Sequence, residues 1–103
     1  MKSKEFKAWL QKERCFSTSK QVSDCASRVK RAERCLSTAV PQIKDFDSAF
    51  EIDGGCYVRL LLSHRGMTPE MGAYTVDLPI GTNQMDPIAS AVRKYFLFLE
   101  DTI

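Results

Sequence analysis

The stretch TSKQVSDCASRVKRAERCL, residues 18–36, decides the fold of this 103-residue chain. Its apolar residues recur at spacings of three and four, at Val22, Cys25, Val29, Ala32 and Leu36. This spacing places all five side chains on one face of a helix, whereas successive residues of a strand alternate between two faces. The stretch therefore predicts a long amphipathic helix with one face in a core.

Both ends of this helix are marked in the sequence. Thr18 and Gln21 have the spacing of a capping box, in which each side chain bonds the backbone of the other residue. Pro41 disfavours helical geometry in the residue before it, so the helix is expected to stop by Ala39 or Val40. Upstream, Phe6, Trp9 and Leu10 have the i, i+3, i+4 spacing of a shorter amphipathic helix over residues 3–13.

Downstream of Pro41, the sequence predicts two short helices. Residues 45–52 would bury Phe46 and Phe50, with Asp45 or Ser48 near the start and Gly54 at the end. Residues 56–63 suit a helix ending at Gly66, although their apolar run also fits a buried strand.

The remaining chain holds an irregular segment and a last helix. Residues 67–85 are rich in Pro and Gly, so an irregular or short β-like excursion is expected there. Asp86 and Pro87 suggest an N-cap followed by Pro at the first helical position, and the helix they begin has one apolar face. That face consists of Ile88, Ala91, Val92, Tyr95 and Leu99.

These elements predict a mainly α fold, a small bundle of four to five helices. A chain of this length makes one domain, here residues 1–103. No apolar run approaches the roughly 20 residues of a membrane-spanning helix. The charged N-terminus lacks the apolar segment of a secretion signal, so a cytoplasmic location is expected. The expected core contains Trp9, Leu10, Val22, Val29, Leu36, Phe50, Val92, Tyr95 and Leu99.

The reactive side chains favour neither a cofactor nor catalysis. Cysteines at positions 15, 25, 35 and 56 form no close pair, and the only histidine, His64, has no cysteine within zinc-ligand spacing. In the cytosol these thiols would stay reduced, as core or half-core residues. Cys56 lies two helical turns before His64, too far for a nucleophile and base pair. We therefore predict a protein that is not an enzyme and binds no metal or small-molecule cofactor.

Charge is divided unevenly along the chain. Residues 1–44 hold eleven Lys and Arg against four acids, a net charge of +7, and the remainder carries −5. Projected at about 100° per residue, the basic residues of the long helix face away from its apolar stripe. The exposed face is predicted to contain Lys20, Ser27, Lys30, Arg31 and Arg34, with Arg28 at its flank. Such a face can neutralise DNA phosphates, keep a small domain soluble, or dock on an acidic partner, including a second copy of this chain.

The helical segments carry a resemblance to a known family. The pattern from Phe6 to Leu36 resembles the first two helices of the core-binding domain of tyrosine recombinases and phage integrases, which is SAM-like and N-terminal. Residues 88–99 are similar to that domain's last helix, where small residues precede an Arg and then aromatics. The family's catalytic domain has no counterpart here, so the resemblance implies a stand-alone module that binds DNA without cleaving it. It adds Arg93 and Lys94 to the basic residues expected to contact phosphates.

A second hypothesis remains open from the residues. The chain could be a protein-interaction or oligomerisation domain, such as an accessory protein of a mobile element. Leu97 is predicted to lie opposite the core face of the last helix, and beside Phe96 it could form a homodimer contact.

Overall fold

Five α-helices make up most of the structure, a computed structural model that describes residues 1–13 and 16–102. Two 3₁₀ turns, Ser63–Gly66 and Met71–Ala73, lie between the fourth and fifth helices, and no strand occurs in the described ranges. The mainly α bundle is therefore confirmed, and residues 67–84 are irregular. The helices are α1 (Ser3–Lys12), α2 (Ser19–Ala39), α3 (Phe46–Asp53), α4 (Cys56–Leu62) and α5 (Met85–Asp101).

The core forms around α5, which packs against each of the other four helices and most extensively against α2. The predicted apolar faces of both helices are buried. Their burial follows from the spacing of three and four residues, which holds the apolar side chains on the sides where the helices meet. The long helix thus has one side in the core and the other in solvent.

Local capping fixes the ends of α2 and α3. Gln21 N–H donates to Thr18 Oγ1 at 3.2 Å, and Gln21 Oε1 accepts from the Thr18 N–H at 3.3 Å, so the predicted capping box is confirmed. Asp45 Oδ1 accepts from the Ser48 N–H at 2.7 Å at the start of α3. Gly54 ends that helix with φ of 70°, a left-handed conformation that glycine adopts readily.

An aromatic cluster links α1, α3 and α5. The ring of Tyr95 lies edge-on to Phe6 at 5.1 Å, and Phe96 lies 5.5 Å from Phe46. The Tyr95 hydroxyl donates to Asp47 and accepts from the Lys2 N–H at 2.9 Å. Burial, reinforced by the Asp47 carboxylate, raises the pKa of Tyr95 well above its ordinary value. The hydroxyl therefore stays protonated and joins three segments of the chain.

Two predicted core residues lie at the edge of the core instead. Trp9 is only half-buried because its indole N–H donates to Asp101 Oδ2, 2.8 Å away at the surface. Phe50 is half-buried because it stacks on Phe96 with one side and lines an open cavity with the other. Helical spacing identified the inward face correctly but not the depth of each ring.

The predicted start of α5 is wrong. The N-cap is Gln84 and the helix begins at Met85, which places Asp86 and Pro87 in its first turn. Met85 is fully buried, so its packing draws the helix start toward the N-terminus. Pro87 is tolerated because the N–H groups of a first turn have no helical partner. Asp86 instead pairs with Arg65, whose Nη2 lies 3.2 Å from Asp86 Oδ2.

The junction between α3 and α4 generates a stability prediction. Gly54 and Gly55 both have positive φ, but a Cβ on Gly55 would lie 2.7 Å from the Phe96 ring, whereas one on Gly54 meets nothing within 4 Å. Gly54→Ala should lower the free energy of unfolding by about 1 kcal/mol through backbone strain alone. Gly55→Ala should lower it by about 1–3 kcal/mol more through overpacking. Urea denaturation of both variants measures the difference, and equal losses would contradict the close approach of helix junction and ring.

Asp45 generates a pH prediction. The Ser48 N–H holds the pKa of the Asp45 carboxyl below its usual value. The ionised cap therefore stabilises the folded state at pH values above the pKa of Asp45 in the unfolded chain, and this stabilisation is lost as the pH falls through the lower pKa of the folded state. Asp45→Ala should lower the free energy of unfolding by about 1 kcal/mol at pH 7, and this loss should shrink below about pH 4. Asp45→Asn keeps an accepting oxygen and should lose less. Denaturation curves at pH 7 and below pH 4 measure the free energy of unfolding of both variants. If Asp45→Ala lowers it by the same amount at both pH values, the ionised cap is not the cause.

Candidate nucleic-acid interface

The outer side of α2 presents the predicted basic face. Because the opposite side of this helix is buried through Val22, Val29 and Leu36, the basic side chains point away from the core. All five are exposed, as expected from the projection: Lys20, Ser27, Lys30, Arg31 and Arg34. We call these five residues the basic face.

Most positive charges on α2 are not neutralised by the fold. Lys20 Nζ lies 3.1 Å from Asp24 Oδ2, a solvent-exposed i, i+4 pair worth only a fraction of a kcal/mol, about 0.3–0.5. Among the residues that the structure describes, Lys30, Arg31 and Arg34 form no ion pair. These three cations are therefore available to an external anion.

Glu33, the second acid of α2, is turned away from the basic face. Its Oε1 lies 3.4 Å from the ammonium of Met1, and its Oε2 accepts from the Phe46 N–H at 2.9 Å. Both oxygens are thus engaged with the start of the chain, just before α1, and with the start of α3 on the inner side of the helix. The carboxylate closest in sequence to Arg31 and Arg34 consequently does not screen them.

Lys94 lies in a groove between α2 and α5. Its Nζ donates to Ser90 Oγ at 2.8 Å and lies 5.6 Å from the centre of the Phe16 ring. The groove encloses a small cavity of about 170 Å³, which both helices line. Its lining residues are Phe16, Cys25, Arg28, Pro87, Ser90, Ala91 and Lys94.

Arg28 joins the basic face to this groove. Sequence projection places Arg28 only at the flank of the face, and it is not among the residues predicted to bind phosphate. The packing of α5 against α2 brings Lys94 to the same cavity, so both cations line it. This arrangement depends on the side of α2 against which α5 packs. Residue spacing does not specify that side, so the sequence could not predict that Arg28 and Lys94 line one cavity.

Arg93 does not join this group. It is exposed, but on α5 it points about 100° away from Lys94, and it is not among the residues that line the groove. The basic residues predicted on α5 are therefore separated, with Lys94 beside Arg28 and Arg93 on another side of the helix.

The remaining reactive residues are dispersed. Cys25 and Cys35 are buried, Cys56 is exposed, and Cys15 lies outside the described residues. His64 is exposed in a left-handed conformation after α4. In residues 1–13 and 16–102, no group of three or more His, Cys, Asp or Glu side chains is placed to hold a metal ion. No described helix combines the length and the apolar character needed to cross a membrane.

The function must be argued from this geometry. Comparisons of the chain with protein-family models, with curated proteins and with solved structures found no match. The resemblance to the core-binding domain of tyrosine recombinases therefore stays a prediction. A function can be inferred from the exposed cations Lys30, Arg31 and Arg34, which form no ion pair in the part of the chain that the structure describes.

Proposed function

We propose that this chain is a non-catalytic DNA-binding module that contacts phosphates through the basic face of α2. The observation that carries the proposal is the exposure of Lys30, Arg31 and Arg34 without an ion pair in the described chain, while Glu33 is engaged elsewhere. The resemblance to a domain that binds DNA across its helices supports the same surface.

The dimensions of the basic face suit a nucleic-acid backbone. Residues 20–34 span about 21 Å along the helix axis at 1.5 Å per residue. Duplex DNA carries about twelve phosphates over that length. Lysine and arginine replace condensed counterions there, and the Ser27 hydroxyl can donate to a phosphate oxygen. The binding free energy then comes largely from counterion release, so affinity falls as salt rises.

The same chemistry limits specificity. Phosphate contacts fix the position and orientation of a protein on DNA, whereas sequence is read from base edges and from DNA shape. Since the proposed contacts are made to phosphates, the proposed binding tolerates many sequences. Arg93, on the exposed side of α5, would supply a further phosphate contact.

Charge reversal on the basic face tests this function. Arg31→Glu combined with Arg34→Glu should weaken binding to a fluorescently labelled duplex at least about 10-fold at low salt, because two phosphate contacts become repulsive. Stability should change by no more than about 0.5 kcal/mol per exposed substitution. Fluorescence anisotropy at several salt concentrations measures the affinity.

The control variant is Lys4→Glu combined with Lys7→Glu, which makes the same change in net charge on exposed positions of α1. It should retain most of the affinity. If both double variants bind duplex equally well, or lose affinity equally, α2 is not the contact surface.

The groove generates a separate prediction. If Arg28 and Lys94 extend the basic face, Arg28→Gln and Lys94→Gln should each reduce the slope of log K against log salt by about 0.9, one phosphate contact each. Lys44→Gln, an exposed position beyond the end of α2, should leave the slope unchanged. A slope unaltered by either groove variant would confine the interface to the outer side of α2.

A further inference from the structure

A second surface, which shares no residue with the basic face, lies where the C-terminal ends of α1 and α5 meet. It is a shallow cavity of about 350 Å³, lined by Trp9, Glu13, Leu97, Glu100 and Asp101. We call this surface the Trp9 pocket. It combines one aromatic ring, one aliphatic side chain and three carboxylates, a composition that the proposed DNA binding does not use.

The apolar part of the Trp9 pocket is anchored by side-chain contacts and accessible to solvent. Leu97 is 51% exposed, which confirms its predicted position opposite the core face of α5. The Trp9 ring is held by its bond to Asp101 and by packing on Phe98 at 5.9 Å. Phe96, expected to join Leu97 in a contact surface, is instead buried at 1% exposure against Phe46. Any contact here therefore depends on Leu97 and Trp9.

The charged part of the Trp9 pocket favours a cationic side chain. Glu13 and Glu100 are exposed and form no ion pair within the described ranges. The C-terminal end of α5 adds the negative end of its helix dipole. An arginine has the matching chemistry, because its aliphatic stem can lie on Leu97 and its guanidinium can stack on indole while bonding to carboxylates.

We propose that the Trp9 pocket binds the basic face of a second copy of this chain, with Arg31 and Arg34 as the inserted side chains. Both are exposed and lack an ion pair in the described chain, and they are neighbours on one helix surface, about 5–6 Å apart at their Cβ atoms. The two surfaces are complementary in charge, since the Trp9 pocket holds three carboxylates and the basic face four cations.

This contact joins different surfaces of the two copies. Each bound copy therefore leaves one basic face and one Trp9 pocket unoccupied, so the association extends into chains or closes into rings. Because the same arginines serve the proposed DNA interface, duplex DNA and a second copy exclude one another on α2.

Two complementary variants test the contact by sedimentation velocity at about 50 mM NaCl, where charge screening is weak. The wild type should show an average mass that rises with concentration, and about 500 mM NaCl should weaken the association at least 10-fold. Leu97→Ser with Glu100→Lys removes the pocket, and Arg31→Glu with Arg34→Glu removes the inserted side chains. Each variant alone should be monomeric, and their equimolar mixture should form a 1:1 dimer and stop there, because one intact pocket meets one intact basic face.

Control measurements separate this proposal from loss of fold and from the DNA interface. Ile52→Ser, at another exposed apolar position, should associate like the wild type. Circular dichroism should show unchanged helix content in every variant. The Leu97→Ser, Glu100→Lys variant should bind duplex at least as tightly as the wild type, because no second copy competes for α2, so DNA binding can fail or succeed independently of association.

Several outcomes would overturn the proposal. A wild type that stays monomeric at every concentration removes the second copy as the occupant. A mixture of the two variants that stays monomeric while the wild type associates places the contact elsewhere. Trp9 is the only tryptophan, so its fluorescence reports on the pocket. A hexa-arginine peptide that shifts this emission in a strictly monomeric wild type would assign the pocket to a different basic protein.

Discussion

The hydroxyl of Tyr95 is the interaction on which the arrangement of the helices depends. It is buried in the middle of α5, where an unsatisfied hydroxyl would destabilise the fold by about 1–3 kcal/mol. Its two partners are far apart in the sequence, the Lys2 backbone before α1 and the Asp47 side chain in α3. Satisfying this one group therefore fixes α1 and α3 on α5, while α5 covers the apolar side of α2 and leaves the other side of α2 to solvent.

The distribution of carboxylates determines what α2 presents to that solvent. Neighbouring like charges on a helix repel, and an acid placed among them relieves the repulsion. Glu33 would be such an acid, but its oxygens bond the Met1 ammonium and the Phe46 N–H. The fold thereby uses this carboxylate for internal contacts and leaves the cations of the basic face without it. With Glu13 and Glu100 exposed beside Trp9, the molecule has two surfaces of opposite sign, the basic face and the Trp9 pocket.

Local signals predicted most of the fold, and tertiary packing accounts for the remainder. The capping box at Thr18 and the cap at Asp45 could be predicted because their partners lie three residues away. The start of α5 could not, because the burial of Met85 and the pairing of Asp86 with Arg65 involve distant parts of the chain. The burial of Phe96 could not be predicted either, since this ring packs against Phe46 and lies close to Gly55, both distant in sequence.

The candidate site shows the same division. Exposure of the basic face follows from the periodicity of α2 alone. The extension of the basic face through Arg28 to Lys94 depends on the flank of α2 against which α5 packs. Helical spacing does not specify that flank. The separation of Arg93 from Lys94 does follow from adjacent positions on a helix, although the resemblance had placed both on one DNA-binding surface.

The contact between the first and last helices also has a consequence for biosynthesis. Phe6 and Trp9 find their partners in Tyr95, Phe98 and Asp101, so the first helix has no complete binding surface until the last one has been translated. Because a chain emerges from its N-terminus at about 5–20 residues per second, α1 and α2 expose their apolar faces for several seconds beforehand. During that interval α1 can pair with α2, but not with α5. Burial of α1 is completed only once α5 has emerged from the ribosome.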